Sequence, residues 1–204
     1  MERINVLGMG PGHRDYVLPI TSRLIEESDV IVSSARLLQG LELGGKAVYE
    51  LGRLAEAVEH IRENRHKKIS VLVSGDSCFY SMLSFLRRHF ESEELNVVPG
   101  IGSLQYMFSR LGMSWSEAFM GSVHGREVDF AELSLRYKAV GLLTDGKWSP
   151  KAIAKVLVEK GLGERIMYIG ENLSYENEKI SRIRAAEAAS SGGYDMCVVV
   201  ICDE

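Results

Sequence analysis

Ile69–Tyr80, ISVLVSGDSCFY, is the stretch on which the reading of this chain turns. Ile69, Val71, Leu72 and Val73 make a near-continuous apolar run, the pattern of a strand covered on both faces, as in a parallel sheet. The run stops at the small-residue turn Ser74-Gly75-Asp76, and from Cys78-Phe79-Tyr80 the apolar spacing turns helical. Parallel sheets hold their ligands at the carboxyl ends of their strands. Gly75 lets a ligand approach the backbone and Asp76 sets a carboxylate beside it. The plainer alternative is a strand-to-helix loop in which Asp76 caps the following helix.

Two more buried strands end the same way. Ile4–Leu7 runs into Gly8-Met9-Gly10-Pro11-Gly12, and Leu95–Val98 runs into Pro99-Gly100-Ile101-Gly102-Ser103. The first turn is not the dinucleotide fingerprint G-x-G-x-x-G: its sixth position is His13, and Pro11 removes an N–H that a phosphate cradle would use. Three such turns predict one shared crevice at the ends of one sheet, suited to a ligand without phosphate. Ser103 either caps the helix bearing Tyr106, Met107, Phe108 and Leu111 or offers its hydroxyl to the ligand.

Around this frame, helical spacing is expected from Ile20 to Ile25, in a short helix opened by Ser33-Ser34-Ala35-Arg36 and running through Leu38, at Leu54, Val58 and Ile61, and over Met82–His89. Further strands are expected at Asp29–Val32 and, as an edge, Ala47–Leu51. Gly112 closes a helix, and a domain boundary is expected around Leu111–Trp115. Beyond it come a strand at Ala118–Val123, the turn His124-Gly125-Arg126, a helix through Leu135, and a strand at Val140–Thr144. Ser149 before Pro150 is a strong helix start. Strands at Ile166–Ile169, Glu178–Ile183 and Met196–Ile201 and a small-residue helix at Ala185–Ser190 complete an α/β chain of two domains.

Composition narrows the partners. A hydrophobic share of 46% with 25% charged residues over 204 positions is that of a soluble globular protein with room for a full core. A formal net charge of −4 offers no footprint for nucleic acid or an anionic membrane. No signal peptide or membrane-length apolar run is read, and the 3 cysteines form no CxxC pair, so a reduced cytoplasmic protein is expected. The 5 histidines are scattered, and no metal site is expected.

With these residues in view, the chain resembles the tetrapyrrole methylases, which use S-adenosylmethionine. GMGPG at 8–12, SGDSCFYS at 74–81 and VPGIGSLQY at 98–106 carry that likeness. HGR at 124–126, LTDGKWSPKAIA at 143–154 and GLGERIMYIGENLSYENEKI at 161–180 resemble the branch that methylates C5 of a cobalt-precorrin in cobalamin biosynthesis. In the family the turn after the organising strand usually reads Gly-Asp-Pro, and here Ser77 stands at the third position. The resemblance implies a class III methyltransferase fold of two α/β domains, about 1–112 and 113–204, with the cofactor in the cleft between them, and a homodimer. It also implies cofactor contacts at Pro11, Gly75, Asp76, Phe79, Gly100, Ser103 and Leu104, and at Leu143, Thr144 and Glu171, with S-adenosylhomocysteine as product. The neighbouring C15 methylation and decarboxylation, fused to this domain in some relatives, is expected on a separate protein.

Methyl transfer from a sulfonium needs alignment and dryness more than acids and bases. Accordingly no nucleophile–base triad is visible. The substrate so implied carries many carboxylates, and Arg126 with His124 is the first candidate to grip them, unless Arg126 only pairs with a surface carboxylate. Lys147 and Arg36 are second candidates. Asp145 and His124 are the catalytic candidates, although Asp145 equally serves as a turn former before Pro150. Tyr80 and Trp148 either stack on the macrocycle or simply pack. Asn172 is grouped with Glu171, and His13 is read as structural. Two other functions stay open: methylation of another precorrin carbon or a protein side chain, and a non-catalytic module that binds the adenosyl cofactor or a tetrapyrrole.

Overall fold

The computed structural model describes residues 2–203, and the chain divides into two compact units, Met1–Gly102 and Ser103–Glu204. The first unit runs β1 (Ile4–Gly8), α1 (Pro19–Glu26), β2 (Val30–Ser33), α2 (Ala35–Leu38), β3 (Ala47–Glu50), α3 (Leu54–Glu63), β4 (Ile69–Val73), α4 (Leu83–Leu86) and β5 (Leu95–Val98). Its five strands form a parallel sheet in the order β3-β2-β4-β1-β5. The organising strand β4 is the central one, and all five of its residues are buried.

Alternation along the strands explains why both faces are apolar. Leu7, Ile31, Leu72 and Val98 pack with Leu24 and Ile25 of α1 and Leu37 and Leu38 of α2. Val6, Val30, Val32, Ile69, Val71 and Val73 point the other way, onto Ala57, Val58 and Ile61 of α3 and Leu86 of α4. Each buried Val, Leu or Ile contributes about 1.5–3 kcal/mol of hydrophobic stabilisation, so a strand with two buried faces is a strong organising element.

The helix expected from Cys78 does not form there. Ser81 Oγ donates to Ser77 O, Ser77 Oγ donates to Val98 O at 2.8 Å, and Tyr80 adopts φ 49°. Local serine bonds of this kind compete with helical ones, and a left-handed tyrosine ends any helix. Only Leu83–Leu86 of the expected Met82–His89 is helical.

The second unit runs α5 (Ser103–Leu111), β6 (Ala118–Ser122), α6 (Phe130–Arg136), β7 (Ala139–Leu143), α7 (Pro150–Glu159), β8 (Ile166–Glu171), β9 (Lys179–Arg184), α8 (Ala185–Ala188) and β10 (Cys197–Cys202). Its sheet is mixed, in the order β6-β7-β10-β8-β9, with only β6 and β7 parallel. Val140, Leu142, Met167, Ile169, Val199 and Ile201 carry one face of it into a core with α6, α7 and α8. Helix α7 starts as expected, with Ser149 Oγ accepting from Ala152 N and Pro150 at the first helical position.

The compact units meet one helix earlier than the boundary expected at 112. Helix α5 belongs with the second sheet, because Leu104 and Phe108 lie close over Gly141, and Met107 over Gly170. A β-carbon at Gly141 would stand 3.2 Å from the Phe108 ring, and one at Gly170 would stand 2.7 Å from Met107 Sδ. Two glycines facing one helix admit it close to the sheet, a signal spread too far along the chain to read locally. Ser103 is itself the first residue of α5, rather than the residue before it. Among the described residues no helix is long and apolar enough to cross a membrane.

Candidate functional site

In the first unit the three glycine-rich turns do meet. They follow β4, β1 and β5, which are neighbours in the sheet, so parallel pairing delivers all three to the same end. Gly10 N donates to Gly75 O at 3.2 Å, and Gly75 N donates to Gly10 O at 2.9 Å. A β-carbon on Gly8 would fall 2.5 Å from Gly100 N, and one on Gly100 would fall 2.3 Å from Gly75 O. Gly75 takes φ 67°, a conformation costly for other residues. These turns are therefore packed backbone against backbone, with no room for side chains between them.

Asp76 is the clasp. Its Oδ2 accepts from Gly100 N at 3.0 Å and its Oδ1 from Cys78 N at 2.8 Å. One carboxylate thus shapes its own turn and ties it to the turn after β5. The bond to Cys78 N resembles the capping expected as the plainer alternative, but no helix follows it directly. Pro11 is buried, Phe79 is half-buried with its ring edge-on to Tyr80 at 4.7 Å, and Tyr80 is exposed. Arg36, just past β2, donates from Nη2 to Ser74 Oγ at 3.0 Å, which brings a cation to the organising turn. His13 accepts from Asp15 N at 3.3 Å and caps a short turn, in keeping with a structural role.

In the second unit the expected residues gather where β6, β7 and β8 end and β10 begins. The turn 124–126 follows β6, and Asp145 follows β7. Asp145 Oδ1 accepts from Trp148 N at 2.7 Å and Lys147 N at 3.0 Å, while Oδ2 accepts from Gly125 N at 3.1 Å. Asp145 is thus a second clasp, joining the HGR turn to the DGKW turn. The Trp148 N–H bond leads the causes that hold its carboxyl below the ordinary value of 3.8, helped by the Gly125 and Lys147 N–H groups and by His124. A carboxylate so stabilised is a weak base at neutral pH. Its three main-chain bonds fix the backbone of the turn that carries the exposed His124 and Arg126.

That lowered pKa gives a pH test. A group with a folded value below its unfolded one stabilises above the unfolded value and loses that contribution as pH falls through the folded one. As followed by NMR, the Asp145 side-chain carboxyl carbon should titrate below the ordinary carboxylate value of 3.8, the Gly125 amide should move with that step, and an Asp145→Asn variant should abolish it.

Lys147 Nζ lies 5.6 Å from the Trp148 ring centroid, and Trp148 meets Phe130 edge-on at 5.6 Å. Trp148 is half-buried against the core, which supports packing as its role. Thr144 Oγ1 donates to Cys197 O at 2.6 Å, next to the pairs Leu143–Val198 and Glu171–Cys197. Glu171 is 6% exposed; its Oε1 accepts from Asp195 N at 3.2 Å. Its Oε2 stands 3.6 Å from Lys179 Nζ and has no hydrogen-bond partner among the described residues. An orphaned buried acceptor is uncommon and is suited to a donor from a ligand.

The GENLSYENE phrase, 170–178, folds as the last two residues of β8 and the whole β8–β9 connection. Asn172 and Ser174 take φ 49° and 69°, and Glu178 Oε2 accepts from Ser174 N at 2.6 Å. Glu178 Oε1 accepts from Arg110 Nε of α5 at 2.9 Å. Burial pushes the Glu178 carboxyl up, but the Ser174 N–H, Tyr106 and Arg110 outweigh it and hold the carboxyl below its usual range. Sequence reading missed Glu178 and Asp195, whose partners are distant in the chain or on the main chain, and it marked Ser77 only as a departure from the usual turn.

Comparison with known proteins places this geometry. Residues 3–189 match the family described as Tetrapyrrole (Corrin/Porphyrin) Methylases. The chain is 35% identical over 202 residues to the cobalt-precorrin-7 C(5)-methyltransferase of Salmonella typhimurium, covering 98% of this chain and 99% of that one. Its fold matches the cobalamin biosynthesis precorrin-6Y methylase of Archaeoglobus fulgidus, with a TM-score of 0.76, 24% identity, and coverage of 99% and 98%. It likewise matches the uroporphyrin-III C-methyltransferase of Thermus thermophilus complexed with S-adenosylhomocysteine, with a TM-score of 0.78, 21% identity, and coverage of 98% and 97%. Two α/β units, three apposed strand-end turns and a family match over nearly the whole chain lead to one assignment: this chain belongs to the tetrapyrrole methylases.

Proposed function

We propose that the chain is an S-adenosylmethionine-dependent C-methyltransferase acting on C5 of a cobalt-precorrin in cobalamin biosynthesis. The likeness to the Salmonella typhimurium enzyme across both full lengths supports this substrate. The cradle of apposed turns is the observation that carries the cofactor. Its Gly10, Gly75 and Gly100 N–H groups are all taken, by Gly75 O, Gly10 O and Asp76. Pro11 has none to give. Those three donors are therefore not offered to a phosphate, which suits a cofactor without phosphate. The cradle presents backbone that a flat nucleoside can approach closely.

When bound, S-adenosylmethionine would supply a methyl group already activated by its sulfonium charge. The chain's task is then to hold, align and keep dry. Pro11, Gly75, Phe79 and Gly100 would form the bed and Asp76 would fix its shape. In the second unit Ser103, Leu104, Leu143 and Thr144 are proposed as further contacts, and Glu171 Oε2, which has an ion-pair neighbour in Lys179 but no hydrogen-bond partner among the described residues, would accept from a cofactor hydroxyl or ammonium. A carboxylate there would repel the acid arms of the substrate. Those arms need cations, and the exposed Arg126, set by the Asp145 clasp, supplies one.

Arg126→Ala should raise KM for the tetrapyrrole about tenfold with kcat within about twofold, the pattern of lost ground-state binding. Steady-state kinetics would show a kcat loss instead if Arg126 acted in the chemical step. The function itself is tested by incubating the protein with S-adenosylmethionine carrying a ¹³C-methyl group and the cobalt-precorrin. Label at C5 is expected; label on another carbon would move the chain to another reaction of the family, and no transfer would leave it a binding module.

A further inference from the structure

Ser77 is a polar side chain with no exposure, one residue past the Asp76 clasp. Its hydroxyl donates to Val98 O at 2.8 Å, and its own carbonyl accepts from Ser81 Oγ. Val98 ends β5, and two residues later Gly100 N donates to Asp76 Oδ2. The turn after β4 is therefore stapled to the turn after β5 at two successive points, Ser77 to Val98 and Asp76 to Gly100, on either side of Pro99. A single hydrogen bond would let the two turns pivot about it, whereas two fix both their spacing and their angle. The Ser81 bond extends the brace along the irregular segment that carries Phe79 and Tyr80. Because Ser77 is wholly buried, its hydroxyl touches no ligand.

We infer that Ser77 is a positioning residue, which holds the Gly75 and Gly100 backbones at the separation ligand binding requires by locking the second point of this staple. The inference rests on the cofactor reading above only for its affinity readout; the geometric readout is independent of any ligand. Ser77→Ala removes one hydroxyl and adds no bulk, so the sheet should fold normally. Titration calorimetry with S-adenosylhomocysteine should show affinity reduced about tenfold, which is about 1.4 kcal/mol. Ser77→Thr, which keeps the hydroxyl, should stay within about threefold of the wild type. In the ligand-free protein, the Gly100 amide should exchange with solvent at least about tenfold faster in Ser77→Ala, as read by NMR, because its bond to Asp76 loses its partner staple.

The outcomes separate the two claims. Wild type that fails to bind S-adenosylhomocysteine, combined with a deprotected Gly100 amide in Ser77→Ala, would remove the cofactor reading and support the staple. Ser77→Ala that binds like the wild type, or keeps its Gly100 amide fully protected, would overturn the inference.

Discussion

Gly100→Ala should destabilise the protein by about 3 kcal/mol and reduce S-adenosylhomocysteine affinity by about 100-fold or more. The added β-carbon would stand 2.3 Å from Gly75 O and 2.8 Å from the Gly8 carbonyl carbon, both main-chain atoms of the two other turns. No rotamer relieves a clash between a β-carbon and backbone. The ends of β1, β4 and β5 would have to part, and with them the bed proposed for the cofactor. Gly146→Ala is the control: nothing lies within 4 Å of a β-carbon there, so urea unfolding and calorimetry should both match the wild type. A Gly100→Ala protein with wild-type stability and affinity would mean the turns are loosely held, and the cradle as described would fail.

Asp76→Ala should have the next largest effect. It removes the acceptor of two main-chain N–H groups, Gly100 at 3.0 Å and Cys78 at 2.8 Å. Hydrogen bonds to a charged group are worth about 1.5–3 kcal/mol each, and the half-buried Gly100 N–H would be left with poor alternatives. We expect about 2 kcal/mol less stability and about 30-fold weaker S-adenosylhomocysteine binding. Asp76→Asn, which keeps a neutral acceptor, should recover about half of each loss. Asp76→Ala that bound S-adenosylhomocysteine like the wild type would mean the clasp does not hold the bed, and Asp76→Asn as weak as Asp76→Ala would mean that the charge, rather than a neutral acceptor, is what the clasp needs.

Much of the first unit was legible because its determinants are local. An apolar run with no polar alternation marks β4 as buried on both faces, and glycine after each of three strands marks the turns. Their meeting followed from the parallel reading, since parallel neighbours end on the same side. What stayed hidden lies in bonds between distant residues. The helix expected at 78–82 gives way because Ser77 and Ser81 bond to main chain, a preference that apolar spacing cannot reveal. The boundary at Gly112 looked natural because a helix does end there. The partners that assign α5 to the second unit, Gly141 and Gly170, lie dozens of residues further on. Asp145 was singled out as a catalytic candidate or a turn former, but the bond it accepts from Gly125 N–H, 20 positions away in sequence, is not visible to local pattern. The GENLSYENE phrase was the most specific marker of the branch, yet only the structure shows Glu178 closing that loop onto Ser174 and Arg110.

The central claim is that the three turns of the first unit form the cofactor bed. Hydrogen-exchange mass spectrometry of the wild-type protein with and without saturating S-adenosylhomocysteine tests it most directly. Slowed exchange concentrated in peptides covering 8–12, 74–80 and 98–103 is the result this account predicts. Protection confined to other segments, with these three unchanged under saturation, would contradict it.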